Sequence, residues 1–173
     1  MKSYNICDIF RFAINMEDQG KVFYENASLC TEDKRSAKLF SYLQKQEINH
    51  SKVFGRLKEA YSKKRVFFNV DNDFEEVVDT LLRGLLLPDI SEVRDVLKKN
   101  RNSGLVSIIK IAMEVELNTI IFYKKLKEIL KQKIIQKALD RIISEEESHL
   151  VELKNVRLDL DPLYAGLKYG KFF

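Results

Sequence analysis

Apolar residues recur every three or four positions along most of the chain, the period of a helix that buries one face. The first stripe, Phe10, Ala13, Glu17, Gly20 and Tyr24, predicts a helix over 6–30. Thr31-Glu32-Asp33 supplies a break and a cap. The second stripe, Leu39, Leu43, Glu47, His50, Phe54 and Leu57, predicts a helix from about 33 to 62. Regularity then lapses. Residues 63–102 hold a Lys63-Lys64-Arg65 run, read as a solvated face, and an aromatic connection through Val66-Phe67-Phe68. Two short helical segments follow, one from Phe74 to Leu87 stopped by Pro88 and one capped by Ser91 and reaching Asn100. The third long stripe is Ile109, Ala112, Glu116, Ile120 and Tyr123, in a helix over 103–131. After a turn at Gln132-Lys133, the fourth is Leu139, Ile142, Glu146, His149 and Leu153, in a helix to 157. The remainder, 158–173, carries Tyr164, Tyr169, Phe172 and Phe173, and is apolar enough to pack on the helices or on a partner subunit.

The stripes repeat. Adding 99 turns Ala13 into Ala112, Glu17 into Glu116, Phe23-Tyr24 into Phe122-Tyr123, Glu47 into Glu146 and His50 into His149, without a gap. A repeat of this length fixes the architecture before any other reading. It predicts an all-α protein: an antiparallel four-helix bundle of two repeated hairpins, 6–62 and 103–157, joined by a long crossover, 63–102. A single domain over 1–173 is expected.

The polar members of the stripes carry the chemistry. Both histidines of the chain close a Glu-x-x-His, Glu47 to His50 and Glu146 to His149. Positions three apart stack on one helical face, so carboxylate and imidazole aim the same way. Glu17 and Glu116 likewise occupy places where Leu or Ile is expected. Buried carboxylates are tolerated only when paired or bound to metal. The Lys and Arg residues fall mostly off these stripes, and two divalent cations would neutralise four glutamates. Carboxylate oxygens with one imidazole per metal suit iron, or manganese, better than a structural zinc. Di-metal bundles use this set: one Glu from each of two helices and Glu-x-x-His from the other two. Tyr24 and Tyr123 each follow a glutamate by seven residues, on its face and about 10 Å along it. They are either hydrogen-bond donors or redox-active phenols behind the ligands, or core aromatics with satisfied hydroxyls.

Composition narrows the picture. The net charge of +4 is modest and dispersed, which argues against nucleic-acid binding. Cys7 and Cys30 stand alone; the absence of a C-x-x-C pair removes any rubredoxin-like or zinc-ribbon segment from these residues. Neither a signal core nor a transmembrane run is present, so a cytoplasmic protein with no membrane partner is expected.

At these residues the sequence resembles the rubrerythrin branch of the ferritin-like di-iron carboxylate superfamily. Met16-Glu17 to Phe23-Tyr24, Glu47-Ile48-Asn49-His50, Glu116 to Phe122-Tyr123 and Glu145-Glu146-Glu147-Ser148-His149 carry the likeness, over 10–60 and 105–157. The resemblance implies a ferritin-like bundle around a di-iron centre, with manganese or mixed metal as a variant. It implies Glu47 and Glu146 as bridges, Glu17 and Glu116 as terminal ligands, and His50 and His149 on one metal each. It implies reduction of peroxide or O2 with electrons from a separate rubredoxin-like donor protein, and a homodimer is expected. Two features depart from the pattern. The four-cysteine electron-donor domain is missing from these residues. Thr119 stands where rubrerythrins carry an extra glutamate that exchanges with a histidine, so both metals are expected to keep their ligands on oxidation. Bacterioferritin-like iron storage shares the doubled motif, but Ile48 replaces its haem-binding methionine, so no haem is expected. The doubled motif also fits a di-iron hydroxylase, or a helical interaction module whose site has degenerated.

Overall fold

A computed structural model describes residues 2–84, 87–99 and 101–161. The elements in order are β1 (Lys2–Asn5), α1 (Ile6–Cys30), α2 (Lys34–Tyr61), β2 (Phe67–Val70), α3 (Asn72–Gly84), α4 (Ile90–Lys99), α5 (Arg101–Ile129) and α6 (Lys133–Leu160). The fold is an all-α, ferritin-like bundle of four long helices, in which α1 packs on α2 and α5 on α6. Most of the segment 158–173 lies outside the described residues, and with it the expected packing of that tail.

Helices α1 to α4 each start where a side chain satisfies free amides. Asn5 accepts from the Cys7 amide at 2.8 Å, and Asp33 from the Ser36 amide at 2.7 Å. Asp71 does the same for the Phe74 amide at 2.9 Å, placing the start of α3 just before the expected Phe74. For α4 the cap is Asp89, not Ser91. Its carboxylate accepts from the Ser91 and Glu92 amides, and Glu92 reaches back to the Asp89 amide at 2.8 Å. This is a reciprocal capping box, and it shifts the helix start ahead of Ser91. The α5–α6 turn is closed by Gln136, whose amide donates to the carbonyls of Lys127 and Leu130.

The aromatic connection forms a strand, which its sequence pattern does not announce. Strand β2 pairs antiparallel with β1, from Lys2 opposite Val70 to Asn5 opposite Phe67. Four residues are too few to show alternation, and the partner strand lies at the far end of hairpin one. Tyr4 and Phe68 stack across the pair at 6.4 Å.

The core falls into two clusters at opposite ends of the bundle. One gathers Ile6, Phe10, Phe54, Phe122, Leu126 and Leu139, and the other Phe23, Phe40, Leu43, Ile108, Ile109 and Leu153. Following each helix through them gives its direction. Helices α1 and α6 run from the first cluster to the second, and α2 and α5 run back. Each crosses the middle of the bundle at a glutamate. None of the described helices is long and apolar enough to cross a membrane.

Gly104 sets how closely α4 approaches α5. A Cβ there would lie 2.3 Å from the Val96 carbonyl oxygen. A backbone atom cannot rotate aside, so Gly104→Ala is expected to destabilise by about 1–3 kcal/mol despite alanine's better helix propensity. Urea denaturation at equal m-value measures it.

Candidate metal centre

The layer between the two apolar clusters is polar. Glu17 of α1, Glu47 and His50 of α2, Glu116 of α5, and Glu146 and His149 of α6 are all buried, none above 4% exposed. Every ligand expected from sequence is therefore brought into one place. Ligand atoms of Glu17, Glu47, His50 and Glu146 lie within 4.8 Å of one another, as do those of Glu116, Glu146 and His149. Glu146 belongs to both groups. The two imidazole rings stack with centroids 6.0 Å apart.

Protein groups alone do not satisfy this layer. Glu17 Oε2, His50 Nδ1 and Glu146 Oε1 are buried without a hydrogen bond among the described residues. His50 Nδ1 lies 3.1 Å from Glu146 Oε1 and 3.5 Å from Glu17 Oε2, close but not aligned for one. His149 Nδ1 is 2.9 Å from Glu146 Oε2 and 3.8 Å from Glu116 Oε2. Orphaned buried oxygen and nitrogen atoms are costly, and several converging on one point fit a cation there. The donor set of carboxylates and imidazoles fits iron or manganese.

Burial and mutual repulsion set the protonation of this layer in the absence of metal. Burial, then the Glu17 and Glu146 charges, push Glu47 well above the usual carboxylate range. Burial, then the charge of Glu146, raise Glu116 to about 8. Burial opposes protonation of His50, but Glu146 and Glu17 outweigh it and raise it to about 11. Burial is likewise outweighed at His149, which Glu116 and Glu146 raise to about 9. Burial would raise Glu146, yet His149 and His50 hold it well below the ordinary range.

The tyrosines cross between hairpins. The Tyr24 hydroxyl donates to Glu116 Oε1, and the Tyr123 hydroxyl to Glu17 Oε1. Each stands seven residues after one glutamate but serves the glutamate of the other repeat. Burial, then the neighbouring carboxylates, raise both phenols well above their usual value, so both keep their protons and donate. Gly20 gives Glu47 its room, since a Cβ there would meet Glu47 Cδ at 3.2 Å. Its counterpart by the repeat offset of 99 is Thr119, also buried.

Glu145 joins the site without a signal in the sequence. Its Oε2 lies 3.0 Å from His50 Nε2, on the far side of the ring from the glutamates. It sits in a run of three glutamates, where an ordinary exposed helix face is the default, and only the helix crossing turns it inward. Two cavities, of about 720 and 650 Å³, lie away from this layer. One is lined by Cys30, Asp33 and Arg94 among others, the other by Asn15, Val22 and Pro88.

With this geometry in view, comparison with known proteins gives one family. A family model described as Rubrerythrin matches residues 8–156. Neither a curated protein nor a solved structure gives a significant match.

Proposed function

This chain belongs to the rubrerythrin family, and on that premise we propose that it is a non-haem di-iron oxidoreductase that reduces peroxide, or O2 more slowly. The observation that supports this reading best is the convergence of Glu17 Oε2, His50 Nδ1 and Glu146 Oε1, all buried and all without a hydrogen bond among the described residues. Glu17, Glu47, His50 and Glu146 would hold one ion, and Glu116, Glu146 and His149 the other. When bound, the pair of metals supplies the two electrons that peroxide reduction requires. With two protons, cleavage of the O–O bond then yields two waters.

The protein's own part is positional. Tyr24 and Tyr123 each occupy one oxygen of a terminal carboxylate, leaving the other oxygen of Glu116 and Glu17 for a ligand role. Apolar layers above and below exclude bulk water, which strengthens each electrostatic contact within. These residues hold no C-x-x-C pair, and the electron donor we propose is a rubredoxin-like protein.

Anaerobic Fe(II)-loaded protein is expected to consume about one peroxide per pair of irons, as two electrons dictate, and then to stop. Adding a rubredoxin-like donor with its reductase restarts turnover. Stopped-flow absorbance follows the first cycle. Reaction no faster than that of free Fe(II), or an unimpaired Glu47→Ala variant, rules this reading out and leaves a storage or interaction role.

A further inference from the structure

The two halves of the site match in their ligands and differ one step behind them. The offset of 99 that pairs Glu47 with Glu146 and His50 with His149 also pairs Gln46 with Glu145 and Tyr42 with Arg141. On α6 the pair is charged. Arg141 Nε donates to Glu145 Oε1 at 2.9 Å, and Glu145 Oε2 lies 3.0 Å from His50 Nε2. On α2 the corresponding pair is neutral: Gln46 Nε2 donates to the Tyr42 hydroxyl at 2.8 Å. The Tyr42 ring stands edge-on to His149, with centroids 5.8 Å apart. His149 Nε2 is buried and has no hydrogen-bond partner among the described residues.

This difference bears on metal binding. A neutral imidazole that gives one nitrogen to a metal carries its proton on the other. An acceptor at that second nitrogen fixes the tautomer, fixes the ring plane and makes the ligand more basic. A carboxylate is the strongest such acceptor. His50 has one, itself anchored by a guanidinium, and His149 has none among the described residues. The ligand groups are unequal in the same sense, since four residues gather on the His50 side and three on the His149 side.

We propose that Glu145, through its contact with His50 Nε2, makes the two metal positions unequal, so that the position beside His50 and Glu17 fills first and holds its ion more tightly than the one beside His149 and Glu116. The inference rests on the metal-site reading above. Glu145 is a positioning residue: it acts on the metal through His50.

Mn(II) titrated anaerobically into the full chain, followed by calorimetry, tests it. Wild type is expected to bind two ions in separate steps at least about ten-fold apart, the usual size of such an outer contact. Glu145→Ala weakens the first step by about 10–100-fold and leaves the second unchanged. Glu145→Gln, which keeps an acceptor, recovers part of the loss. Gln46→Glu tightens the second step. In crystals given one equivalent of Mn(II), the anomalous peak lies beside His50. Two equal steps in wild type, equal weakening of both steps by Glu145→Ala, or a first peak beside His149 each overturn the inference while leaving the metal site standing. A wild type that binds no Mn(II) overturns both.

Discussion

Metal-free protein will melt at progressively lower temperature as pH rises from about 5 to 9, and metal will abolish that fall. The sign follows from which state holds the protons. Glu116, raised to about 8, and Glu47, also raised, bind protons in the folded state at pH values where an unfolded carboxyl has lost them. Their contribution is fully present below the ordinary carboxylate range and is lost as pH climbs towards the raised value. His50, at about 11, and His149, at about 9, behave alike from a higher starting point, losing their contribution above the ordinary imidazole value. Glu146 runs the other way. It is depressed, so its contribution is present above the ordinary carboxylate range and is lost as pH falls below it. Metal-free stability should therefore peak in mildly acid solution. Each proton of difference is worth ~1.4 kcal/mol per pH unit. Even one such group across two units lowers the melting temperature by on the order of 10 °C in a chain of this size.

In the proposed metal-bound form, divalent ions would take the place of those protons. Glu47, Glu116, His50 and His149 carry up to four between them near neutrality, matching the charge of two M(II) ions. Loading should release them, and affinity should rise with pH. Thermal melts with chelator and with Mn(II), at several pH values, check the first statement. Calorimetric titration in buffers of different ionisation enthalpy counts the protons. A metal-free melting temperature that rises between pH 6 and 8 contradicts this assignment of protons.

The long helices and the buried cluster of glutamates and histidines were legible because two periodicities coincide in them. The helical period of three and four shows which face is buried, and the offset of 99 shows that Glu17, Glu47, Glu116 and Glu146 recur on that face. Glutamates on an apolar stripe conflict with burial, and that conflict locates the site. What the sequence hid depends on contacts between helices. Tyr24 shares a helical face with Glu17 but reaches Glu116, because α1 and α5 face each other across the centre and the hydroxyl spans to the opposite helix. Glu145 is one residue from Glu146, a step of about 100° round the helix that reads as surface; only the approach of α2 brings His50 Nε2 to it. The β1–β2 pair was hidden for another reason. Its strands are four residues each, and their hydrogen bonds join segments on either side of hairpin one. At α4, Asp89 and Ser91 are both good caps, and the reciprocal bond from Glu92 settles the choice for Asp89.

Glu146→Gln and Glu47→Gln should both lose metal yet part company in the metal-free protein. Glu146 is shared by both ligand groups, so its substitution should take both ions, whereas His149→Ala should spare the ion beside His50. Without metal, Glu146 is the buried counter-ion of two imidazoles, 3.1 Å from His50 Nδ1 and 2.9 Å from His149 Nδ1. Removing its charge leaves those cations uncompensated, a change of about 3–5 kcal/mol for a broken buried pair. Deprotonation of the imidazoles relieves part of that, and a melting temperature roughly 10 °C lower at pH 7 is expected. Glu47 is different. Its carboxyl is held protonated by burial and by Glu17, so an amide of nearly the same shape replaces a group that is already neutral. Glu47→Gln should leave the metal-free melting temperature within a few degrees of wild type, an effect under about 1.5 kcal/mol for a shape-conserving change. Chelator-treated melts at pH 7, with metal content measured separately, compare the two. Equal destabilisation by both variants would mean that Glu47 is ionised in the metal-free site and that the protons are distributed differently among its four carboxylates.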